Sequence, residues 1–547
     1  MVDAERIASF ISAELEGRRH PGSSVSIVKG DEVVWSRGFG YSDIRNDRRA
    51  TPETIYGCAS ITKPVVTTGF LQLMEKGKFS LDDKVNDHLD VKIRDIVGEE
   101  PTIRDLLTHY TGMPTRVPPL YLLGEAPIDT RKYIGEAARM VRPRGEEWAY
   151  CNTSFTIVGH LIQAFTGIPY DEYLKEHVLK PLEMTSSDFE ISPMIEAQLA
   201  QGYKRGGGPE KPLIPSPRYY LGMKPADAAG SLYSTVLDLA KFVSMNMNRG
   251  TYHGRRLLKE ETIAAMQKLQ ASTGKSRSGM GLTWFRTIHD GRVMLYHTGG
   301  LPDFANHVCF YPDERLGVCW LSNLQDGSGW RPPAPTVLRM TKGDESSMKP
   351  SIQSTPNNWA KIVGVYGDEI HRSTIRVVNG FLVLDDKLLL ERLDDSLYRV
   401  HGPSNDGEEL TFEFGEDGSI RQFDLGTSFH KSYTPAVLRV DNGAELVGTW
   451  IGEYVDAHGF HVMELRIQSP GSAVVNGPNG EYIQLNDFRA ELGEVNGHGA
   501  FRLAREYALW GTSDYVETEI HLKAVEGKLV GILLGNNGST KIELKRK

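Results

Sequence analysis

Ser60-Ile61-Thr62-Lys63, inside the run Gly57 to Pro64, places a hydroxyl and an amine three residues apart, a spacing that one helical turn brings onto a single face. Pro64 has no backbone N–H and is tolerated only near a helix start, so the helix is expected to begin close to Ser60, at the positive end of its dipole. A serine hydroxyl becomes a nucleophile when a neighbouring base takes its proton, and a desolvated lysine can stay neutral enough to be that base. Ser-x-x-Lys alone occurs by chance on many surface helices. Two further stretches give it weight. Tyr150-Cys151-Asn152 follows Pro143-Arg144-Gly145 and precedes an apolar helical pattern at Ile157, Val158, Leu161 and Ile162. His297-Thr298-Gly299-Gly300 follows the strand-like Val293 to Tyr296.

In this order the three stretches resemble the motifs of the serine β-lactamase and penicillin-binding-protein superfamily. The match is best to its class C β-lactamase, D-aminopeptidase and family VIII esterase branch, which uses Ser-x-x-Lys, Tyr-x-Asn and Lys/His-x-Gly. The resemblance continues through Leu73 to Asp83, Thr102 to His109, Gly230 to Thr235 and Phe310 to Asp313, and covers roughly the first 330 residues. It implies that Ser60 attacks a carbonyl, that Lys63 and Tyr150 share the proton traffic, and that Asn152 orients Lys63 and holds a substrate amide. His297, Thr298 and Gly299 would line the substrate, with the backbone N–H groups of Ser60 and Gly300, on an edge strand, forming the oxyanion hole. Gly299 and Gly300 would be glycine so that a substrate backbone can approach. The resemblance implies no cofactor and no metal.

His297 stands where penicillin-binding proteins and most β-lactamases carry a lysine, which removes a permanent cation suited to a free substrate carboxylate and makes efficient β-lactamase activity a poor expectation. No counterpart to the class A deacylating glutamate motif is present, in keeping with a mechanism centred on Tyr150. His109 reads as structural, because the matching family segment lies outside the reactive centre.

A length of 547 residues implies more than one domain, and 40% hydrophobic with 24% charged residues is the composition of a globular protein. A net charge of −9 without a compensating Lys/Arg cluster argues against a nucleic-acid partner. Ile7, Phe10 and Ile11 alternate with charges, the pattern of an amphipathic helix rather than a secretion signal, and no run is long enough to span a membrane; a cytoplasmic location follows as an expectation. Cys58, Cys151, Cys309 and Cys319 fit neither a zinc site nor a disulfide framework and read as buried core thiols.

Residues 1–340 mix strands and helices, which suits the fold the resemblance implies: α+β, an antiparallel sheet built from both ends of the domain and flanked by helices, beside a helical subdomain. Residues 341–357 read as a linker, after a short closing helix around Thr336 to Met340. Beyond it helical periodicity nearly vanishes, and short alternating runs between Asn-Gly and Asp-Gly turns imply all-β structure. An echo between Ile362 to Tyr366 and Leu446 to Trp450 divides it into two small antiparallel barrel modules, 358–441 (lipocalin-like) and 442–547. Their role is open between stability, self-association into a homo-oligomer and shaping of the active site.

The expected function is a serine hydrolase acting through acyl-Ser60 on small amides or peptides, D-aminopeptidase-like in character. The alternatives are a family VIII-type carboxylesterase, a penicillin-binding-type transacylase or peptide cyclase, and a non-catalytic receptor with an acylatable ligand pocket.

Overall fold

The structure is a computed structural model that describes residues 3–113, 129–140, 142–146, 148–205, 211–216, 228–272, 277–325, 331–343, 359–367 and segments of 372–431 and 448–546. An eight-stranded sheet organises the first part. Its spatial order is Gly279–Met280, Phe285–His289, Arg292–Leu301, Phe304–Tyr311, Leu316–Ser322, Gly22–Lys29, Glu32–Asp43 and Arg48–Arg49. The early strand Gly22–Lys29 pairs antiparallel with the late strand Leu316–Ser322, Ile27 opposite Val318, so the sheet draws on both ends of this unit.

Side chains alternate between the two faces of a strand. Val25, Ile27, Val318 and Trp320 pack on one face with Ile7, Ile11, Val337 and Leu338 from the helices Ala4–Gly17 and Ala334–Lys342. Val28, Cys319 and Leu321 point the other way, into a larger core shared with the helix Val236–Met247 and the helical subdomain.

At the centre of the second core lies the helix Thr62–Glu75, buried at every position from Thr62 to Leu71. Around it pack Ile103–Thr108, Asn152–Thr166 and Tyr170–Leu174. This helix begins where the sheet and the helical subdomain meet. Among the described residues no helix is long and apolar enough to cross a membrane.

The C-terminal part contains two more antiparallel sheets. In the first, eight strands from Gly364–Gly367 to Ser428–Lys431 follow one another as a meander, and its first and last strands lie side by side, around a core of Ile375, Leu382, Tyr398, Leu410 and Phe423. A short helix, Trp359–Ile362, precedes it and buries Trp359 and Ile362 in that core, so helix is not wholly absent beyond the linker. The second sheet has nine strands between Gly448 and Arg546. Residues 344–357 of the expected linker, and Leu446 and Val447 of the internal echo, lie outside the described residues.

The meander is fastened to the first unit through charge. Arg339, 1% exposed, donates from Nε to Asp290 Oδ2 at 2.6 Å and from Nη1 to Asp406 Oδ2 at 2.8 Å. His289 Nε2 donates to the Asp406 carbonyl at 2.9 Å and its Nδ1 accepts from the Tyr311 hydroxyl.

Candidate active site

Ser60 does not sit inside the α-helix. It lies in a 3₁₀ turn, Ala59–Ile61, that leads into the helix from Thr62 onward. Pro64 is the third helical residue, where a missing N–H costs nothing because the first four amides have no partner within the helix. The turn is strained: Ala59 has φ +51, a left-handed conformation that costs a residue with a Cβ roughly 1–2 kcal/mol.

Several bonds hold it there. Thr62 Oγ1 donates to the Ala59 carbonyl at 2.6 Å and accepts the Leu232 N–H at 2.9 Å, while the Cys58 N–H reaches the Leu232 carbonyl at 2.8 Å. From the sheet, Asn306 Nδ2 donates to the Gly57 carbonyl at 2.9 Å. Leu232 and the short strand Tyr233–Ser234, which pairs with Tyr56–Gly57, therefore back the turn.

Lys63 is fully buried. Its Nζ donates to Ser60 Oγ at 3.0 Å and to the Ala229 carbonyl at 2.8 Å, and lies 4.8 Å from the Tyr150 ring centroid and 5.5 Å from that of Phe155. The turn geometry thus brings hydroxyl, amine and phenol ring together. Asn152 opens the helix Asn152–Thr166, but its Oδ1 is buried without a hydrogen-bond partner. The Ala229 carbonyl holds the Lys63 amine from behind. Asn152 Oδ1 is left as an acceptor for another donor.

His297, Thr298, Gly299 and Gly300 lie on Arg292–Leu301, which is not an edge strand along its whole length. Its pairing with Phe285–His289 ends at Phe285 opposite Tyr296, so only the stretch from His297 onward has an open side. On the other side the two-residue connection makes Leu301 and Phe304 a hydrogen-bonded pair, and pairs alternate along an antiparallel ladder. The N–H and C=O of Thr298 and Gly300 consequently face the open side.

The two glycines have different reasons. A Cβ on Gly299 would meet the Cys58 carbonyl oxygen at 2.1 Å, so this glycine lets the strand press against the Ser60 turn rather than against a substrate. On exposed Gly300 a Cβ would meet nothing nearer than Gln325 Nε2 at 3.6 Å, which leaves room for a ligand.

His297 is 1% exposed, and its Nδ1 contacts the Thr298 carbonyl at 2.7 Å. A carbonyl only accepts, so Nδ1 carries the proton and Nε2, buried and without a partner, is a lone-pair acceptor. Burial, then the nearby Lys63 charge, push the imidazole down to about 3. Neutral His297 therefore offers an acceptor where a lysine would offer a cationic donor.

Sequence reasoning missed Trp148, Phe285 and Ala229, and it read His109 as structural only. Trp148 and Phe285, ring centroids 6.0 Å apart, form an apolar wall beside Tyr150, with Phe285 stacked on the Tyr150 ring at 6.4 Å. His109 lies under Tyr150 with centroids 4.4 Å apart. Ala229 contributes through its backbone, which no side-chain motif reveals. The four cysteines are free and buried, and burial pushes the Cys58 and Cys151 thiols upward, away from reactivity. Among the described residues no group of three or more His, Cys, Asp or Glu side chains is placed to hold a metal ion.

A family model described as Beta-lactamase matches residues 7–339. Protein flp of Staphylococcus aureus (strain MW2) is 25% identical over 328 residues, 58% of this chain and 63% of that protein, so the chain spans less than two thirds of that relative's length. PbpX of Bacillus subtilis (strain 168), a relative of the penicillin-binding kind, is 31% identical over 303 residues, 55% of this chain and 70% of the relative. Among solved structures, the octameric penicillin-binding protein homologue from Pyrococcus abyssi is similar with a TM-score of 0.54 and 26% identity, over 78% of this chain and 100% of that one. At 78% of this chain, that likeness covers more than the family-matched segment. With more than half of its length matched by the family model, the chain belongs to the beta-lactamase family.

Proposed function

We propose that this chain is a serine hydrolase that forms an acyl-Ser60 intermediate and hydrolyses small neutral amide or peptide bonds. The observation that carries the reading is Lys63 Nζ at 3.0 Å from Ser60 Oγ, in a buried setting beside the Tyr150 ring. In the proposed reaction Ser60 Oγ bonds to the substrate carbonyl carbon while its proton passes to the Lys63 and Tyr150 pair. The tetrahedral oxyanion is held by the Ser60 and Gly300 N–H groups. Collapse breaks the bond to the leaving nitrogen, which takes that proton, and water then attacks the acyl-enzyme to release the acid and restore the serine.

The acceptor atoms His297 Nε2 and Asn152 Oδ1 favour a substrate that brings N–H donors and disfavour a free carboxylate beside the scissile bond. The Trp148 and Phe285 wall favours an apolar group on one side of it. An ester of the same shape enters the same chemistry with a better leaving group, which keeps a carboxylesterase as the second reading. We assign residues 1–340 to the hydrolase domain and 358–441 and 442–547 to two β modules. Self-association is proposed as well, in keeping with the octameric homologue that this chain is similar to, with the β modules as the candidate interface.

A hydrolysis screen tests this directly, comparing p-nitrophenyl esters, D- and L-aminoacyl anilides, and a cephalosporin. Faster turnover of anilides than of the cephalosporin is expected. No turnover of any of them would favour a ligand-binding receptor.

A further inference from the structure

His109 ends the helix Ile103–Thr108 in a left-handed conformation, φ +64 and ψ 34, a place normally taken by glycine or asparagine. Its chemistry explains why a histidine stands there. The His109 carbonyl accepts the Ala149 N–H at 3.0 Å, and its Nδ1 accepts the Cys151 N–H at 3.0 Å. These are the residues on either side of Tyr150. The imidazole itself lies against the phenol ring, 4.4 Å between centroids and 33° between planes, and His109 is fully buried.

The loop that carries Tyr150 is docked onto the same helix end by two further bonds. Gly145 N–H reaches the Tyr110 carbonyl at 2.8 Å, and Arg144 Nε reaches Asp105 Oδ2 at 2.7 Å, the carboxylate that also closes the Thr102 capping box. Accepting at Nδ1 fixes the tautomer: the proton is on Nε2, which is buried without a partner. Burial, and then the Lys63 charge, oppose a second proton, so the ring keeps the lone pair on which the clamp depends.

We infer that His109 is a positioning residue for Tyr150, clamping the amides on both sides of it and one face of its ring so that the phenol is held beside Lys63. This rests on the proposed acyl-Ser60 reading, within which it assigns His109 a part in the proton-transfer step.

Three substitutions separate the roles of this residue. Asparagine tolerates the left-handed backbone and offers Oδ1 near the position of Nδ1; glycine tolerates the backbone but has no acceptor; leucine keeps bulk alone. His109→Asn should keep kcat within about fivefold of wild type, whereas His109→Gly and His109→Leu should lower it about ten- to hundredfold with KM nearly unchanged, the size of effect expected when a reacting group is misplaced by an ångström or less. In a Tyr150→Phe background, His109→Gly should lower kcat no further. An additive loss there, or an unchanged kcat in the glycine variant alone, overturns the inference. Full activity of Tyr150→Phe overturns the parent reading together with it.

A measurement on the unmodified protein needs no variant to fold. The ¹⁵N shifts of His109 at pH 7 should report a neutral ring protonated at Nε2, and a proton on Nδ1 would overturn the clamp while leaving the acyl-Ser60 reading intact.

Discussion

Lys63 Nζ bridges Ser60 Oγ at 3.0 Å and the Ala229 carbonyl at 2.8 Å, so one buried amine is tied both to the hydroxyl it would deprotonate and to the backbone strip behind it. Lys63→Ala removes the bridge and Tyr150→Phe removes the hydroxyl of the ring whose centroid lies 4.8 Å from the amine. Each should lower the acylation rate on the order of 10²–10⁴-fold, the usual cost of losing a positioned acid or base. Single-turnover kinetics would check this, and a loss under tenfold in both would refute the proton-transfer assignment.

Gly299 and Gly300 should separate stability from function. Gly299→Ala drives a methyl into the Cys58 carbonyl and should destabilise the protein on the order of 1–3 kcal/mol while disturbing the Ser60 turn. Gly300→Ala meets only the end of the Gln325 side chain, at an ordinary contact distance of 3.6 Å, and should fold normally, with its effect confined to turnover. Thermal midpoints and kcat/KM of the pair would show it; equal destabilisation would contradict the geometry.

His297 makes a pH claim. A base whose proton affinity is lowered in the folded protein stays neutral until the pH nears that lowered value, here about 3 rather than the ordinary 6.5. The preference between a matched carboxylate and amide substrate should therefore hold constant from pH 8 to pH 5. His297→Lys should shift it towards the carboxylate on the order of tenfold, the worth of one hydrogen bond to a charged group. A wild-type preference that swings towards the acid with a midpoint near 6.5 would show an ordinary, solvated histidine.

The fold of the first unit was legible because its strands alternate and its helices carry an apolar stripe: Val25 and Ile27 face one core, Val28 the other, as their spacing implies. The candidate site was legible where side chains carry it, at Ser60, Lys63 and Tyr150. It was not legible where backbone does. Ala229 holds Lys63 through a carbonyl, Gly299 owes its identity to the Cys58 carbonyl, and both contacts join segments far apart in the chain. The clamp on Tyr150 escaped for a related reason: the bonds from His109 run to the amides of Ala149 and Cys151, and main-chain amides leave no trace in residue type.

Arg339 is one of several contacts between the first unit and the eight-stranded meander, joining buried Asp290 to Asp406. Arg339→Met leaves Asp290 with the longer 3.3 Å contact to Arg399. Stripping a buried carboxylate of its main partner costs about 3–5 kcal/mol. Limited proteolysis should then cut the C-terminal part much faster than in wild type, and an unchanged digestion rate would show that other contacts hold the two together.

The central claim is a covalent bond at one atom. Incubation with a slow ester or amide substrate, rapid acid quench and peptide mapping by mass spectrometry should find the acyl group on Ser60, and Ser60→Ala should fold normally, carry no adduct and turn nothing over. An adduct on another residue, or full activity in the alanine variant, would contradict the account.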